Sequence, residues 1–219
     1  VKERPILFNG PMVLAILDGR KTVTRRVVKP QPDFVANGVP ARFTPDDMRL
    51  GRLGEAMRSP YGRPGDRLWV RESWLVQRSE PCLEHERDWQ ELISPTIRYL
   101  ADGATHRIQG NRSTGAGVYR GPVEKGRPSI HMPRWASRIT LEITGVRVER
   151  LREIDSTDAM AEGIANLSTS EHIDYVIPSV AVAQHPVRAF QLLWESINGA
   201  GNWDANPWVW VVEFKRVTP

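Results

Sequence analysis

The chain has 219 residues, 40% of them hydrophobic and 26% charged, with a formal net charge of +4, which suits one large globular domain or two small ones with length enough for a core. No apolar run approaches the ~20 residues that span a bilayer, and Val1-Lys2-Glu3-Arg4-Pro5 does not read as a secretory signal, so a cytoplasmic protein without membrane contact is expected. The single cysteine, Cys82, excludes an internal disulfide framework, fits a reducing compartment, and sits in a polar, proline-rich stretch where it reads as incidental and not catalytic.

Taken in order, Ile6-Leu7-Phe8 predicts a short buried strand, and Asn9-Gly10-Pro11 a turn with proline at the first helical position. Val13, Ile16 and Leu17 recur at helical spacing, and Gly19 stops that helix in a left-handed conformation. Thr22 to Val28 is rich in β-branched residues and predicts a strand. Six prolines make residues 29–64 look irregular, with one short helix near Pro45 to Leu50. Pro64-Gly65-Asp66 turns into a strand from Arg67 to Trp74, with Leu68, Val70, Glu72 and Trp74 on one face and Trp69, Arg71 and Ser73 on the other. Glu72 and Arg71 among such neighbours need partners, either in ion pairs or at a pocket.

From Gln77 to Gly126 the chain turns polar. Asp102-Gly103 between Thr96–Leu100 and Ala104–Ile108 predicts a hairpin, and Gly110 to Gly126 a loop. Ile139, Leu141 and Ile143 alternate with polar residues until Gly145 shifts the register to Val146 and Val148. Asp155 or Ser156 caps a short helix, Thr157 to Glu162, that Gly163 ends. Phe190, Leu193, Trp194 and Ile197 mark an amphipathic helix stopped at Asn198-Gly199, and Trp208 to Lys215, apolar on both faces at first, reads as a central strand. Many strands with few short helices point to an α+β fold, a small β-barrel with packed helices.

Charge is unevenly placed. Residues 1–75 hold 14 Lys/Arg and 8 Asp/Glu, a balance of +6, whereas the remainder holds 16 and 18, a balance of −2. An anionic partner such as RNA, DNA or a nucleotide would suit the basic third, as would plain solvation. Eight tryptophans leave one or two to stack a base after the core is filled.

Several chemistries are excluded by pattern. The histidines at 85, 106, 131, 172 and 185 lack metal-site spacing, so no metal or other cofactor is expected. Gly19-Arg20-Lys21-Thr22 lacks the glycine pattern of a P-loop, and neither a dinucleotide fingerprint nor a Gly-x-Ser-x-Gly elbow occurs. What remains is Lys21 with Thr24 at the corner after Gly19. Arg20, Arg25 and Arg26 supply like charge that favours a neutral lysine, which could take the proton of a threonine hydroxyl. In a regular strand the two would face opposite ways, so Lys21 must belong to the corner. Glu162 is the second unusual residue, a carboxylate in the last turn of a helix, where it opposes the helix dipole by roughly 0.3–1 kcal/mol.

Gly19-Arg20-Lys21-Thr22-Val23-Thr24-Arg25-Arg26 resembles the Gly-x-Lys-x-x-(Glu/Thr)-x-Arg signature of ASCH domains, a family with the PUA-like β-barrel fold. Met12 to Arg26, Gly65 to Val70, Leu151 to Ile164 and Val209 to Val217 follow the family's order, covering about half the chain, and the whole is similar to phage and prophage-encoded members. On that resemblance residues 1–219 form one domain with insertions at about 29–59 and 76–130. The threonine form resembles bacterial amidohydrolases that remove the acetyl group from N(4)-acetylcytidine. It implies Lys21 as base, Thr24 as nucleophile and Glu162 as an orienting or proton-transferring group. Gly19, Arg20, Arg26, Arg71 and Trp74 are the substrate-binding candidates, with a nucleoside or nucleic acid, RNA before DNA, as partner. The family also implies alternatives: an RNA- or DNA-binding module, even a ribonuclease, or a phage accessory protein acting through protein contacts.

Overall fold

A computed structural model describes residues 1–43, 55–77, 96–107, 125–169, 172–177 and 181–217. The helix expected near Pro45 to Leu50, Cys82 and nearly all of the loop expected over 110–126 lie outside the described residues. The fold is α+β, with many strands and few helices. No helix among the described residues is long and apolar enough to cross a membrane.

In chain order the first elements are β1 (Glu3–Leu7), α1 (Gly10–Leu17), β2 (Val23–Val27), β3 (Phe34–Ala36), β4 (Val39–Arg42), β5 (Glu55–Ala56), β6 (Arg67–Arg71) and β7 (Trp74–Gln77). There follow β8 (Thr96–Tyr99), β9 (Thr105–Arg107), β10 (Thr140–Arg150), α2 (Ser156–Ala161), β11 (Ala165–Asn166), β12 (Tyr175–Ile177), β13 (Ala181–Ala183), α3 (Pro186–Asn198) and β14 (Trp208–Val217). Five strands hydrogen-bond in the order β1-β6-β10-β14-β2, and three smaller sheets are β3-β4-β5, β7-β8-β9 and β11-β12-β13.

The expected barrel is not found: among the described residues β1 and β2 end the five-stranded order and the sheet does not close. At the entry to β2 two different partners take the two sides of the chain. One edge of the corner pairs with β14, where the Thr22 carbonyl accepts from Phe214 N. The other edge is taken by the end of α2, where Thr22 N donates to the Ala161 carbonyl and Lys21 bridges Glu162.

The chain forms two compact units, one of Val1–Arg4, Ala15–Leu68 and Leu141–Pro219, the other of Pro5–Leu14 and Trp69–Thr140. The first unit holds the antiparallel pair β14–β2, with Val211 opposite Arg25 and Val212 opposite Thr24. Val209, Val211 and Val212 are buried, as the apolar run Trp208–Val212 requires of a strand flanked on both sides. Residues 29–64, expected to be irregular, include the β3–β4 hairpin and its partner β5. Its turn is Asn37-Gly38, both at positive φ (50° and 75°), which is the conformation that Asn-Gly supplies at low cost. Nearer the chain's end, α3 is capped by His185, whose Nδ1 accepts from Val187 N, and is stopped by Gly199 (φ 96°).

The second unit has a core of Trp74, Val76, Ile97, Tyr99, Met132 and Ala136. The expected hairpin stands there as β8–β9. The single strand expected from Arg67 to Trp74 is instead two strands in different sheets, β6 and β7, with Glu72 and Ser73 between them, although Leu68, Val70, Glu72 and Trp74 are all buried. Within the unit Glu72 finds its partner in Arg138, whose Nε and Nη2 each lie 2.9 Å from a Glu72 oxygen. The same guanidinium holds Asp102 at 2.7 and 3.0 Å and lies 4.0 Å from the centre of the Tyr99 ring. Burial drives the Tyr99 hydroxyl up to about 12, with Arg138 opposing.

Candidate active site

The site is assembled in the first unit from the corner after α1 and the end of α2. Gly19 takes φ 76°, and the amides of Arg20 and Lys21 both donate to the Ala15 carbonyl, at 2.9 and 3.0 Å. This left-handed stop satisfies one of the last carbonyls of α1 and turns the chain toward β2. Lys21 therefore precedes the regular strand, as its pairing with a distant carboxylate requires.

That carboxylate is Glu162. Asp155 caps α2 by accepting from Asp158 N at 2.7 Å, and Glu162 closes the helix in a helical conformation (φ −71°, ψ −5°). Gly163 then turns away at φ 104°. A Cβ on Gly163 would lie 2.9 Å from Ala15 Cβ and 3.1 Å from Lys21 Cβ, so glycine is what lets the helix end approach the corner.

Lys21 Nζ makes three short contacts: Glu162 Oε2 at 2.6 Å, the Val23 carbonyl at 2.8 Å and the Glu162 carbonyl at 2.9 Å. An ammonium has three donors, and here each has an acceptor. The side chain is 0% exposed and that of Glu162 2%. The Glu162 carbonyl is one of the orphan acceptors at a helix end, so the cation also offsets the dipole that the carboxylate opposes. Burial pulls the Lys21 amine below its usual range; the Glu162 carboxylate resists, and Arg26 and Arg25 add to the lowering. Releasing a proton requires one of the three contacts to be given up, since a free amine has two donors.

Thr24 is equally buried, in β2 opposite Val212. Strand alternation sends its side chain to the face opposite Arg25. Lys21 Nζ nevertheless lies against the peptide that carries Thr24, because the Val23 carbonyl belongs to that peptide. Arg20 is tied down locally, donating to the Gly163 carbonyl at 2.7 Å and to Asp18 at 2.8 Å. Arg26 is half-buried, and its charge partly counters the burial that pushes the Tyr61 hydroxyl up.

The remaining two substrate-binding candidates lie in the second unit. Arg71 donates to the Met132 carbonyl at 2.9 Å and sits 5.2 Å from the centre of the Trp69 ring. Trp74 is 1% exposed, a core residue edge-on to Trp135 at 6.0 Å, so its faces are packed against protein and not offered to a base.

Sequence reading named Arg25 as a like charge beside Lys21 but passed over four charged residues around the pair, Asp158, Glu149, Arg147 and Glu213. Arg25 Nη1 stands 3.6 Å from Glu162 Oε1, while its Nη2 meets Asp158 and, at 3.3 Å, Glu149. Arg147 bridges Glu149, Asp158 and Glu213 on the outer side. One signal was available: Asp158 precedes Glu162 by four residues, so both fall on one face of α2.

Comparison of the chain with family models, curated proteins and solved structures gave no match. What the fold and site define by themselves is an α+β protein with a buried lysine–carboxylate pair beside a threonine-bearing strand.

Proposed function

We propose that this chain is a PUA-like, ASCH-type amidohydrolase that removes an acyl group from N(4)-acetylcytidine or a related acylated nucleoside. The observation that carries the reading is the Lys21–Glu162 pair, 2.6 Å apart and buried, formed by residues 141 apart in the chain. These are the positions at which the resemblance implies a base and its orienting carboxylate.

The chemistry runs through named atoms. As a free amine, Lys21 takes the hydroxyl proton of Thr24, and Thr24 Oγ1 bonds to the acyl carbon. The C–N bond to the nucleobase breaks, and the leaving amine takes the proton that Lys21 now carries. Water then hydrolyses the threonine ester to release the acid and restore the hydroxyl. Glu162 fixes the direction of Nζ throughout. Arg26, two residues along β2 from Thr24 and on the same face, is the side chain suited to the developing oxyanion.

The RNA-binding alternative draws less support. Its three arginines would have to face phosphates, yet Arg25 is buried among carboxylates and Arg20 is engaged with Asp18 and the Gly163 carbonyl.

The test is acetate release from N(4)-acetylcytidine by the purified chain and by Thr24→Val, a near-isosteric change. The expected result is turnover that Thr24→Val abolishes while circular dichroism and the thermal midpoint stay near those of the parent. No release by the parent at high enzyme concentration over many hours would sink the proposal.

A further inference from the structure

We propose that Arg25 is a positioning residue for the Lys21–Glu162 pair: as the permanent counter-ion of Glu162, it lets Lys21 stand as a free amine without leaving a lone buried carboxylate. The inference rests on the reading of Lys21 as a base.

The geometry divides the carboxylate between two cations. Oε2 faces Lys21 Nζ at 2.6 Å, and Oε1 faces Arg25 Nη1 at 3.6 Å. Both side-chain cations are 0% exposed. Among the described residues neither Arg25 Nη1 nor Glu162 Oε1 has a hydrogen-bond partner, so their attraction for each other is the interaction open to both. A guanidinium does not give up its proton in a protein; an ammonium brought into a buried site does. When Lys21 loses its proton, Arg25 and Glu162 remain as a balanced pair. Without Arg25 the same step would leave an ionised carboxylate uncompensated in buried surroundings, which disfavours the step. The like charge of Arg25 acts on Lys21 in the same direction.

Further charges among the described residues bear on this trio. Arg26 also repels Lys21. Asp158 and Glu149 hold Arg25 Nη2, and Arg147 holds both of these and Glu213. Asp158 and Glu149 are 25% and 23% exposed, so water screens them more than it screens Glu162. Their part is to aim the guanidinium.

The experiment reads Lys21 itself and needs no turnover. The 13Cε shift of Lys21, assigned by its disappearance in Lys21→Arg, is titrated in the parent, Arg25→Met, Arg25→Lys and Asp158→Asn. Arg25→Met is expected to raise the pH at which Lys21 titrates by roughly one unit or more. Arg25→Lys, which keeps the charge, returns it toward the parent. Asp158→Asn, which removes an anion from Arg25, lowers it. A folded Arg25→Met in which Lys21 titrates as in the parent overturns the proposal. Should Arg25→Met fail to fold, an unchanged or raised titration in Asp158→Asn overturns it equally. The expected shifts in a protein that hydrolyses nothing support the Arg25 role and count against the amidohydrolase reading alone.

Discussion

Replacing Lys21 with methionine removes one member of a buried ion pair while keeping an unbranched chain of similar length. The loss has three parts: Glu162 Oε2 loses its cation, and the Val23 and Glu162 carbonyls lose a donor. Breaking a buried pair from one side costs about 3–5 kcal/mol when a charge is left without a partner; Arg25 still faces Glu162 Oε1 at 3.6 Å, so the loss here should fall at the low end of that range. Glu162→Leu strands the ammonium in the same way and should cost a similar amount. The double variant removes both charges, and Arg25 keeps Asp158 and Glu149 as partners. It should therefore fall short of the summed losses by about 2–3 kcal/mol. Urea unfolding followed by tryptophan fluorescence measures this, with midpoints compared at equal slope. Single losses under about 1 kcal/mol with coupling below about 0.5 kcal/mol would mean that the pair behaves as an exposed one, and the reasoning fails. A pH series adds a sign. The Lys21 amine titrates below 10.5 in the folded chain, so between the two values the unfolded chain holds a proton that the folded chain lacks. Its contribution to stability therefore grows as pH rises through that window, and Lys21→Met should remove that slope.

Two further outcomes follow from the same structure. Gly163→Ala should lose about 2–4 kcal/mol in urea unfolding, from the positive φ and from the new methyl against Ala15 and Lys21; an unchanged midpoint would refute the close approach. Asp66 accepts from Lys2 N at 2.9 Å, Arg4 Nη1 at 3.0 Å and Arg63 N at 3.4 Å, which holds its carboxyl at about 2 instead of 3.8. The stability it contributes is present above the ordinary carboxylate range and is lost as pH falls through about 2, so parent and Asp66→Asn acid-unfolding curves should converge there.

Local signals carried far in this chain. Gly19, Gly163 and Gly199 all stand at positive φ where helix stops were expected, since only glycine enters that region cheaply. Asp102-Gly103 marked a hairpin that exists, and the alternation at Leu68 and Val70 marked residues that are buried in β6. Asn37-Gly38 carried the same hairpin signal and was masked by the surrounding prolines; Pro40, within β4, shows that a strand tolerates one. The expected barrel closure, which is not found among the described residues, is a different case. Strand propensity says which segments are extended, but not what takes each edge, and the outer edge at the head of β2 went to the end of α2.

The candidate site divides along the same line. The residue types were legible: a lysine and a threonine after a glycine corner, and a carboxylate at the wrong end of a short helix. Their chemistry follows from side-chain identity and near neighbours, which a sequence contains. That Lys21 and Glu162 meet at 2.6 Å, and that Arg25 faces the other carboxylate oxygen, depended on a contact between segments 141 residues apart. So did the fate of Trp74, an aromatic suited to stacking that became core. Burial and charge pairing are properties of three-dimensional neighbours, and they decide whether a lysine is a solvated cation or a desolvated amine. By itself the sequence determined where the chain could turn and which groups could react; only the tertiary structure decided which of them share a buried charge.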